Sequence, residues 1–208
     1  MTTPVRVLVV EDHFLARIAL EGLLDAQPGF QIVGETGIGA NALLLYRRHR
    51  PDLVIMDLKL IGVSGFEAIE AIRGEHAAAR ILVLSNFRGS EDVYRAMRAG
   101  ARGYLTKDAD GAQLLTAIRT VAAGGRFIPK SLESRLAEHF PGTEISPREK
   151  EVLALLAEGL GTSDIAARLQ IAEKTVRIHI GNLLEKLGAR DRTHALVIAL
   201  HRGIIHLD

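Results

Sequence analysis

The sequence predicts a doubly wound α/β domain built on a five-stranded parallel sheet, joined to a small all-α domain of four helices. Three observations carry this. Five short apolar runs alternate with amphipathic stretches through the first 124 residues, the rhythm of strand–helix units feeding a parallel sheet. The runs are apolar nearly throughout, as strands buried on both faces should be. Beyond residue 145 no strand pattern recurs and only helical spacing follows.

The runs are VRVLVV (5–10), FQIVGE (30–35), DLVIMD (52–57), RILVLS (80–85) and RGYLTK (102–107). Each is too short and too rich in β-branched or aliphatic residues to be a helix, and Gly, Pro or Asp flanks most of them. Between them, stretches such as FLARIALEGLLDA and EDVYRAMRAGA repeat apolar residues at helical intervals, as at Phe14, Ile18, Leu20, Leu23 and Leu24. Gly124, Gly125, Pro129, Pro141 and Gly142 then break the rhythm, so 125–144 reads as a linker with one short helical candidate, SLESRLAEHF. In SPREKEVLALLAEG, Ser146 takes the cap position, Pro147 the first helical position and Glu149 completes a capping box. Further helices are expected at 162–169, 173–187 and 192–202. The chain thus divides into a domain at 1–124, a linker at 125–144 and a domain at 145–208.

A chain of 208 residues, 48% apolar, can bury two small cores. The formal net charge of +1 excludes a chain-wide polybasic character but permits a local basic face. The absence of cysteine excludes disulfides and thiolate metal sites, and the eight histidines form no zinc-ligating array. The opening MTTPVRVLVV is too short for a signal peptide's apolar core, and no stretch approaches the roughly 18 apolar residues of a membrane span. A soluble, cytoplasmic protein with no membrane partner is expected.

In an open parallel sheet, ligands bind outside the carboxyl ends of the strands, where strand order reverses. Those ends carry Glu11 and Asp12, then Asp57, Ser85 and Lys107. Two unit charges about 4 Å apart interact by about 4 kcal/mol at an effective dielectric near 20, so crowded carboxylates call for protonation or for a hard cation. Mg²⁺ suits them, since it takes one or two carboxylates, waters and phosphate oxygens. Lys107 and Ser85 suit a phosphoryl group as point charge and hydrogen-bond donor. Asp57 could then attack phosphorus and become an aspartyl phosphate. A single acid at a strand end is ordinarily a turn or cap residue; the whole set on four strand ends is not.

The segments VLVVEDH, DLVIMDL, ILVLSN and GYLTKD resemble the receiver domain of two-component response regulators. That resemblance implies a flavodoxin-like sheet of order 2-1-3-4-5 with Asp57 as phosphoacceptor. It places Mg²⁺ on Glu11, Asp12, Asp57 and the backbone carbonyl of Lys59, and the phosphoryl oxygens on Ser85 and Lys107. It makes Tyr104 an aromatic switch coupled to Ser85, beside the alternative of a half-buried aromatic on an edge strand. Two features depart from or modulate the pattern. Ile61 in LIGVSG stands where proline is common, and Lys59 and Phe87 stand where the family tunes phosphoryl lifetime.

A competing signal lies in GETGIGANA, where Gly37, Gly39 and Ala42 match G-x-G-x-x-A after a strand, with Asp57 further on. It is rejected as a dinucleotide site because it follows the second strand rather than the first, too few strand–helix units remain, and Lys107 and the acid pair are left idle.

In TSDIAARLQIAEKTVRIHIGNLLEKLG, Ile165, Ala166, Leu169, Ile171, Val176, Ile180, Leu183, Leu184 and Leu187 form an apolar face and leave Lys174, Arg177, Asn182 and Lys186 outside. This is the pattern of a helix-turn-helix whose second helix enters the major groove. SPREKEVL, IAARL, KTVRIHIGNLLEKLG and RTHA resemble the LuxR/FixJ-type DNA-binding domain. The match turns Lys174, Arg177, Ile178 and Asn182 to DNA and gives Thr175, His179 and Lys186 to phosphates or packing. Ala172 replaces the usual Ser or Thr cap, a loss of about 1 kcal/mol, and Gly181 replaces a common basic residue. In RTHALVIALHRGII, Ala195 to Leu200 are all apolar, so one face packs on the domain core and Leu196, Val197 and Leu200 are expected in a dimer.

Both halves together resemble NarL/FixJ-type response regulators. The resemblance implies a transcription factor, not an enzyme beyond its own phosphorylation and dephosphorylation, with Mg²⁺ as cofactor. Its expected partners are a histidine kinase, double-stranded promoter DNA, RNA polymerase and, on activation, a second copy of itself. The rival readings are an orphan regulator whose DNA binding ignores Asp57, and a dehydrogenase or phosphatase on the same sheet. A D-x-D phosphatase needs an acid at Lys59.

Overall fold

The structure, a computed structural model, describes residues 3–137 and 145–206. Its first compact unit holds β1 (Val5–Val10), β2 (Phe30–Thr36), β3 (Leu53–Met56), β4 (Ile81–Ser85) and β5 (Gly103–Thr106). The intervening helices are α1 (Phe14–Asp25), α2 (Ala42–His49), α3 (Gly65–Glu75), α4 (Ser90–Ala99) and α5 (Gly111–Ala122). The strands pair in parallel in the order β2-β1-β3-β4-β5. Because the order reverses between β1 and β3, the crevice falls beyond Val10 and Met56, beside the acids that follow them.

Every residue of β3 and β4 is buried, which explains why those runs lack period-2 alternation. One core joins Val7, Val9, Leu53, Ile55 and Leu82 to Leu20 and Leu24 of α1 and Leu114, Ile118 and Val121 of α5. Each such side chain stabilises the fold by about 1.5–3 kcal/mol through burial. Phe14 and Ile18 share the apolar spacing of α1 but are 62% and 46% exposed. Since α1 starts just past the end of β1, its first turns stand at the rim of the sheet.

The glycines of GETGIGANA have a packing role. Gly39 opens a 3-10 turn, and a Cβ there would lie 1.9 Å from the Val63 carbonyl oxygen. The close approach lets Gly39 N–H reach the Ile61 carbonyl at 3.3 Å, and Ile38 forms a bridge with Ile61. The motif spaces two loops of the crevice.

Part of the stretch expected as a linker is regular structure. Phe127 pairs in parallel with Gly103, extending the sheet edge, and α6 spans Lys130–Ala137. The periodicity of a single bridged residue is too short to read from sequence. Residues 138–144 of that stretch lie outside the described residues.

The second unit contains α7 (Pro147–Ala157), α8 (Thr162–Leu169), α9 (Glu173–Leu187) and α10 (Arg192–Arg202). Ser146 and Glu149 form the capping box in both directions, with Pro147 in the first turn. Gln170, at φ +54°, ends α8 in the left-handed region, and Ala172 caps α9 without a side-chain bond. Val152, Leu153, Leu156, Ile165, Val176 and Leu183 form the center of its core. Among the described residues no helix is long and apolar enough to cross a membrane.

Candidate phosphoryl site and nucleic-acid interface

Asp57 directly follows β3 and is 4% exposed. Its Oδ1 accepts the N–H groups of Leu58 at 2.6 Å and Lys59 at 3.3 Å, while its Oδ2 accepts from Lys107 Nζ at 2.7 Å. The same ammonium donates to Glu11 Oε1 at 2.7 Å, an oxygen that also accepts from His13 N–H at 3.0 Å. Burial pushes the Glu11 carboxyl above its usual range, against the pull of Lys107. For Lys107, burial acts to lower the ammonium's affinity for its proton, but its bonds to Asp57 and Glu11 outweigh that and hold it above its ordinary value. The lysine therefore stays charged between two nearly buried carboxylates.

Asp12, half-buried, completes the acid cluster: one carboxylate oxygen from each of Glu11, Asp12 and Asp57 lies within 4.8 Å of the others. A cavity of about 360 Å³ opens over it, lined by Asp12, His13, Asp57, Lys59, Ser85, Asn86, Phe87 and Lys107. Ser85 is buried and its Oγ accepts from Phe87 N–H at 3.3 Å, while its carbonyl accepts from Lys107 N–H at 3.0 Å. Tyr104 is fully buried, and its hydroxyl donates to the Phe87 carbonyl at 2.9 Å. The half-buried edge position left open by the sequence is thus excluded for this residue.

In the second unit, α9 leaves Lys174, Arg177, Ile178 and Asn182 exposed, with Thr175, His179 and Lys186 half-buried and Val176, Leu183 and Leu187 in the core. Arg177 Nη2 donates to Glu173 Oε2 at 2.6 Å, one turn earlier on the same helix. Lys186 Nζ donates to Glu149 Oε2 at 2.7 Å and so ties α9 to the capping box of α7. Burial alone would raise the Glu149 carboxyl, but the bonds from Lys186 and Ser146 outweigh it and hold it below its usual range. On α10, Leu196 packs against the core, while Val197 and Leu200 are 49% and 36% exposed.

Residues 7–119 match the family described as response regulator receiver domain, and residues 143–199 match bacterial regulatory proteins of the luxR family. The nitrate/nitrite response regulator protein NarP of Escherichia coli K12 is 39% identical over 207 residues, covering 96% of each chain. The transcriptional regulatory protein LiaR of Bacillus subtilis 168 is 37% identical, over 96% of this chain and 98% of its own. A crystal structure of a LuxR-family two-component response regulator from Aurantimonas sp. SI85-9A1 is 38% identical with a TM-score of 0.62, over 65% of this chain and 97% of that one. The chain is a response regulator of the NarL/FixJ type.

A receiver of this family acts only on its own phosphorylation state, and the acid cluster of this regulator is of the kind at which receivers bind Mg²⁺. The donor set fits that ion: carboxylate oxygens are hard ligands, and the lysine that now divides Glu11 from Asp57 shows how much positive charge the cluster demands. Three groups of the crevice were not singled out from the sequence. His13 caps α1 by accepting Ala16 N–H on Nδ1 at 3.4 Å, Arg17 Nη1 donates to the Glu11 carbonyl at 2.9 Å, and Asn86 lines the cavity. Adjacency to Glu11–Asp12 and Ser85 was the available signal for His13 and Asn86; Arg17 reaches back across a helical turn, which only the fold reveals.

Proposed function

We propose that Asp57 is the phosphoacceptor and that its phosphorylation governs dimerisation and promoter binding in the cytoplasm. The carrying observation is the position of Asp57: nearly buried, with Oδ1 on two backbone N–H groups and Oδ2 on Lys107, at the floor of an open cavity. A carboxylate oxygen of Asp57 attacks phosphorus of a phosphohistidine on a histidine kinase. The P–O bond forms as the P–N bond breaks, and its electron pair returns to the imidazole. Lys107 shifts from carboxylate to phosphoryl oxygen, and Ser85 turns its hydroxyl to another. Glu11, Asp12, Asp57 and the Lys59 carbonyl would hold Mg²⁺, which when bound would neutralise charge on the transferring group. Tyr104, bonded to the Phe87 carbonyl beside Ser85, senses the new position of that loop.

On this reading residues 1–124 form the receiver, 125–144 the linker and 145–208 the DNA-binding domain. The exposed residues of α9 enter the major groove: Arg177, released from Glu173, reads a guanine edge, and Ile178 meets a thymine methyl. Lys174 and Asn182 flank them, and Thr175 and His179 support phosphate contacts. The bond from Lys186 to Glu149 supports a packing role for Lys186. Val197 and Leu200 form the dimer face of α10, with Leu196 beneath them, and a two-fold operator and RNA polymerase complete the partners. Intact-mass measurement after incubation with a small phosphoryl donor and Mg²⁺ tests the acceptor. One added phosphoryl group on the wild type and none on Asp57→Asn is expected; equal addition to both would overturn the assignment.

A further inference from the structure

At the amino ends of the strands, on the far side of the sheet from Asp57, three arginines converge. Arg73, Arg102 and Arg126 line a cavity of about 260 Å³ together with Met97, Gly100 and Ala101, and no carboxylate lines it. The register brings two of them side by side. Gly103 pairs with Phe127, and Phe127 N–H donates to the Arg102 carbonyl at 3.1 Å, so the preceding residues Arg102 and Arg126 become neighbors across the strand pair. Like charges so placed destabilise a sheet, and a guanidinium cannot shed its proton to relieve the repulsion.

The third arginine is positioned by backbone. Arg73 Nη1 donates to the carbonyls of Ala77 and Ala79. Its stem crosses Gly100, which has φ +110° and where a Cβ would come 2.7 Å from Arg73 Nε. Arg102 Nη1 donates to the Gly124 carbonyl at 3.3 Å. Each of these forks is held by one nitrogen, leaving its other N–H groups uncommitted. None of the three arginines forms an ion pair with a described residue. If the arginines served only to satisfy loop carbonyls, one donor each would suffice, and Arg126 would have no task at all.

We propose that this cavity binds a pyrophosphate group, either inorganic or as the head of a nucleoside diphosphate whose base remains in solvent. Three arginines lining one cavity can offer the paired N–H groups of their forks to the several oxygens of a polyphosphate. The volume is below the roughly 300 Å³ at which pockets for drug-sized molecules begin, which favors a compact anion over a whole nucleotide. The site is separate from phosphorylation of Asp57 and needs no Mg²⁺.

Amide-resolved NMR of the full-length protein, without Mg²⁺ and at constant ionic strength, tests it with pyrophosphate, ADP, sulfate and short duplex DNA. Saturable shifts at Gly100, Ala101 and Gly124 with pyrophosphate and ADP are expected, with sulfate much weaker. Similar affinities for the two would assign the inorganic anion, and clearly tighter ADP binding the nucleotide. R102Q/R126Q, whose side chains are exposed, should weaken binding by about tenfold or more per arginine while leaving the remaining spectrum unchanged. R73Q should do the same if its fold is intact, and R102Q/R126Q decides if it is not. An unsaturable response, an equal response to sulfate, retained affinity in R102Q/R126Q, or shifts produced by DNA alone would each overturn the proposal.

Discussion

The acid crevice and helix α9 both concentrate charged side chains, yet they do so in opposite ways. In the crevice Glu11 and Asp57 are almost fully buried and locked onto Lys107. On α9, Lys174, Arg177 and Asn182 are exposed, and the tie from Arg177 to Glu173 is a solvated i,i+4 pair. Buried charge must be matched within the fold, so crevice residues bear on stability as well as function. Exposed charge is worth little to the fold, about 0.3–0.5 kcal/mol for such a helix pair, so the exposed residues of α9 can change at little cost to stability. A change in the crevice should unfold or rewire the protein; a change on the exposed face of α9 should alter binding alone.

The largest effect expected from that contrast is at Lys107. Lys107→Ala leaves Glu11 and Asp57 facing each other without a counter-charge, and urea unfolding should show a loss of about 3–5 kcal/mol. Millimolar Mg²⁺ should restore more stability to this variant than it adds to the wild type, because the ion takes over the lysine's place between the acids. An equal Mg²⁺ increment in both proteins would show that the crevice does not depend on balanced charge.

Within α9 the contrast can be tested on neighboring turns. Leu183→Ala opens the core of the second unit and should cost about 2–5 kcal/mol in chemical denaturation. Ile178→Ala, at a residue 53% exposed, should stay within about 0.5 kcal/mol of wild type while weakening operator binding by about 1 kcal/mol in a titration. Loss of fold in Ile178→Ala would mean that this face packs rather than reads.

Glu149 extends the buried side of the comparison to the second unit. Its carboxyl is held below the usual range by Lys186 and Ser146, so the stability it contributes is present above that range and is lost as pH falls through the lowered value. Glu149→Gln should remove about 1.5–3 kcal/mol at neutral pH and flatten the acid limb of a stability-against-pH curve. An unchanged acid limb would separate the ion pair from stability. The smallest effect is a gain: Ala172→Ser supplies the absent N-cap of α9 and should add about 1 kcal/mol, read as a higher melting temperature of the second unit.

The same division decides what the sequence could reveal. Strands buried on both faces, as β3 and β4 are, announce themselves as unbroken apolar runs; β2, nowhere fully buried, was legible only from its short apolar stretch and its place in the strand–helix alternation, and the acids, Ser85 and Lys107 followed from the strand ends. Helix caps such as Ser146–Glu149 were legible because a cap is a local hydrogen-bond pattern. What sequence spacing could not resolve was set by long-range placement. The pairing of Phe127 with Gly103 rests on a single bridge, Tyr104 is fully buried although it lies on the edge strand, and Lys186 is tied to a glutamate 37 positions away. Phe14 and Ile18 show the converse: their spacing is that of a packed face, but position along α1 leaves them at the rim.

If Asp57 is the phosphoacceptor proposed above, its state controls DNA binding. The most direct test measures self-association and affinity for the protein's own promoter DNA, with and without beryllofluoride and Mg²⁺, for wild type and Asp57→Asn. Tighter, dimeric binding is expected in the activated wild type alone. Equal binding in all four conditions would contradict it and identify a regulator whose DNA binding is independent of the crevice.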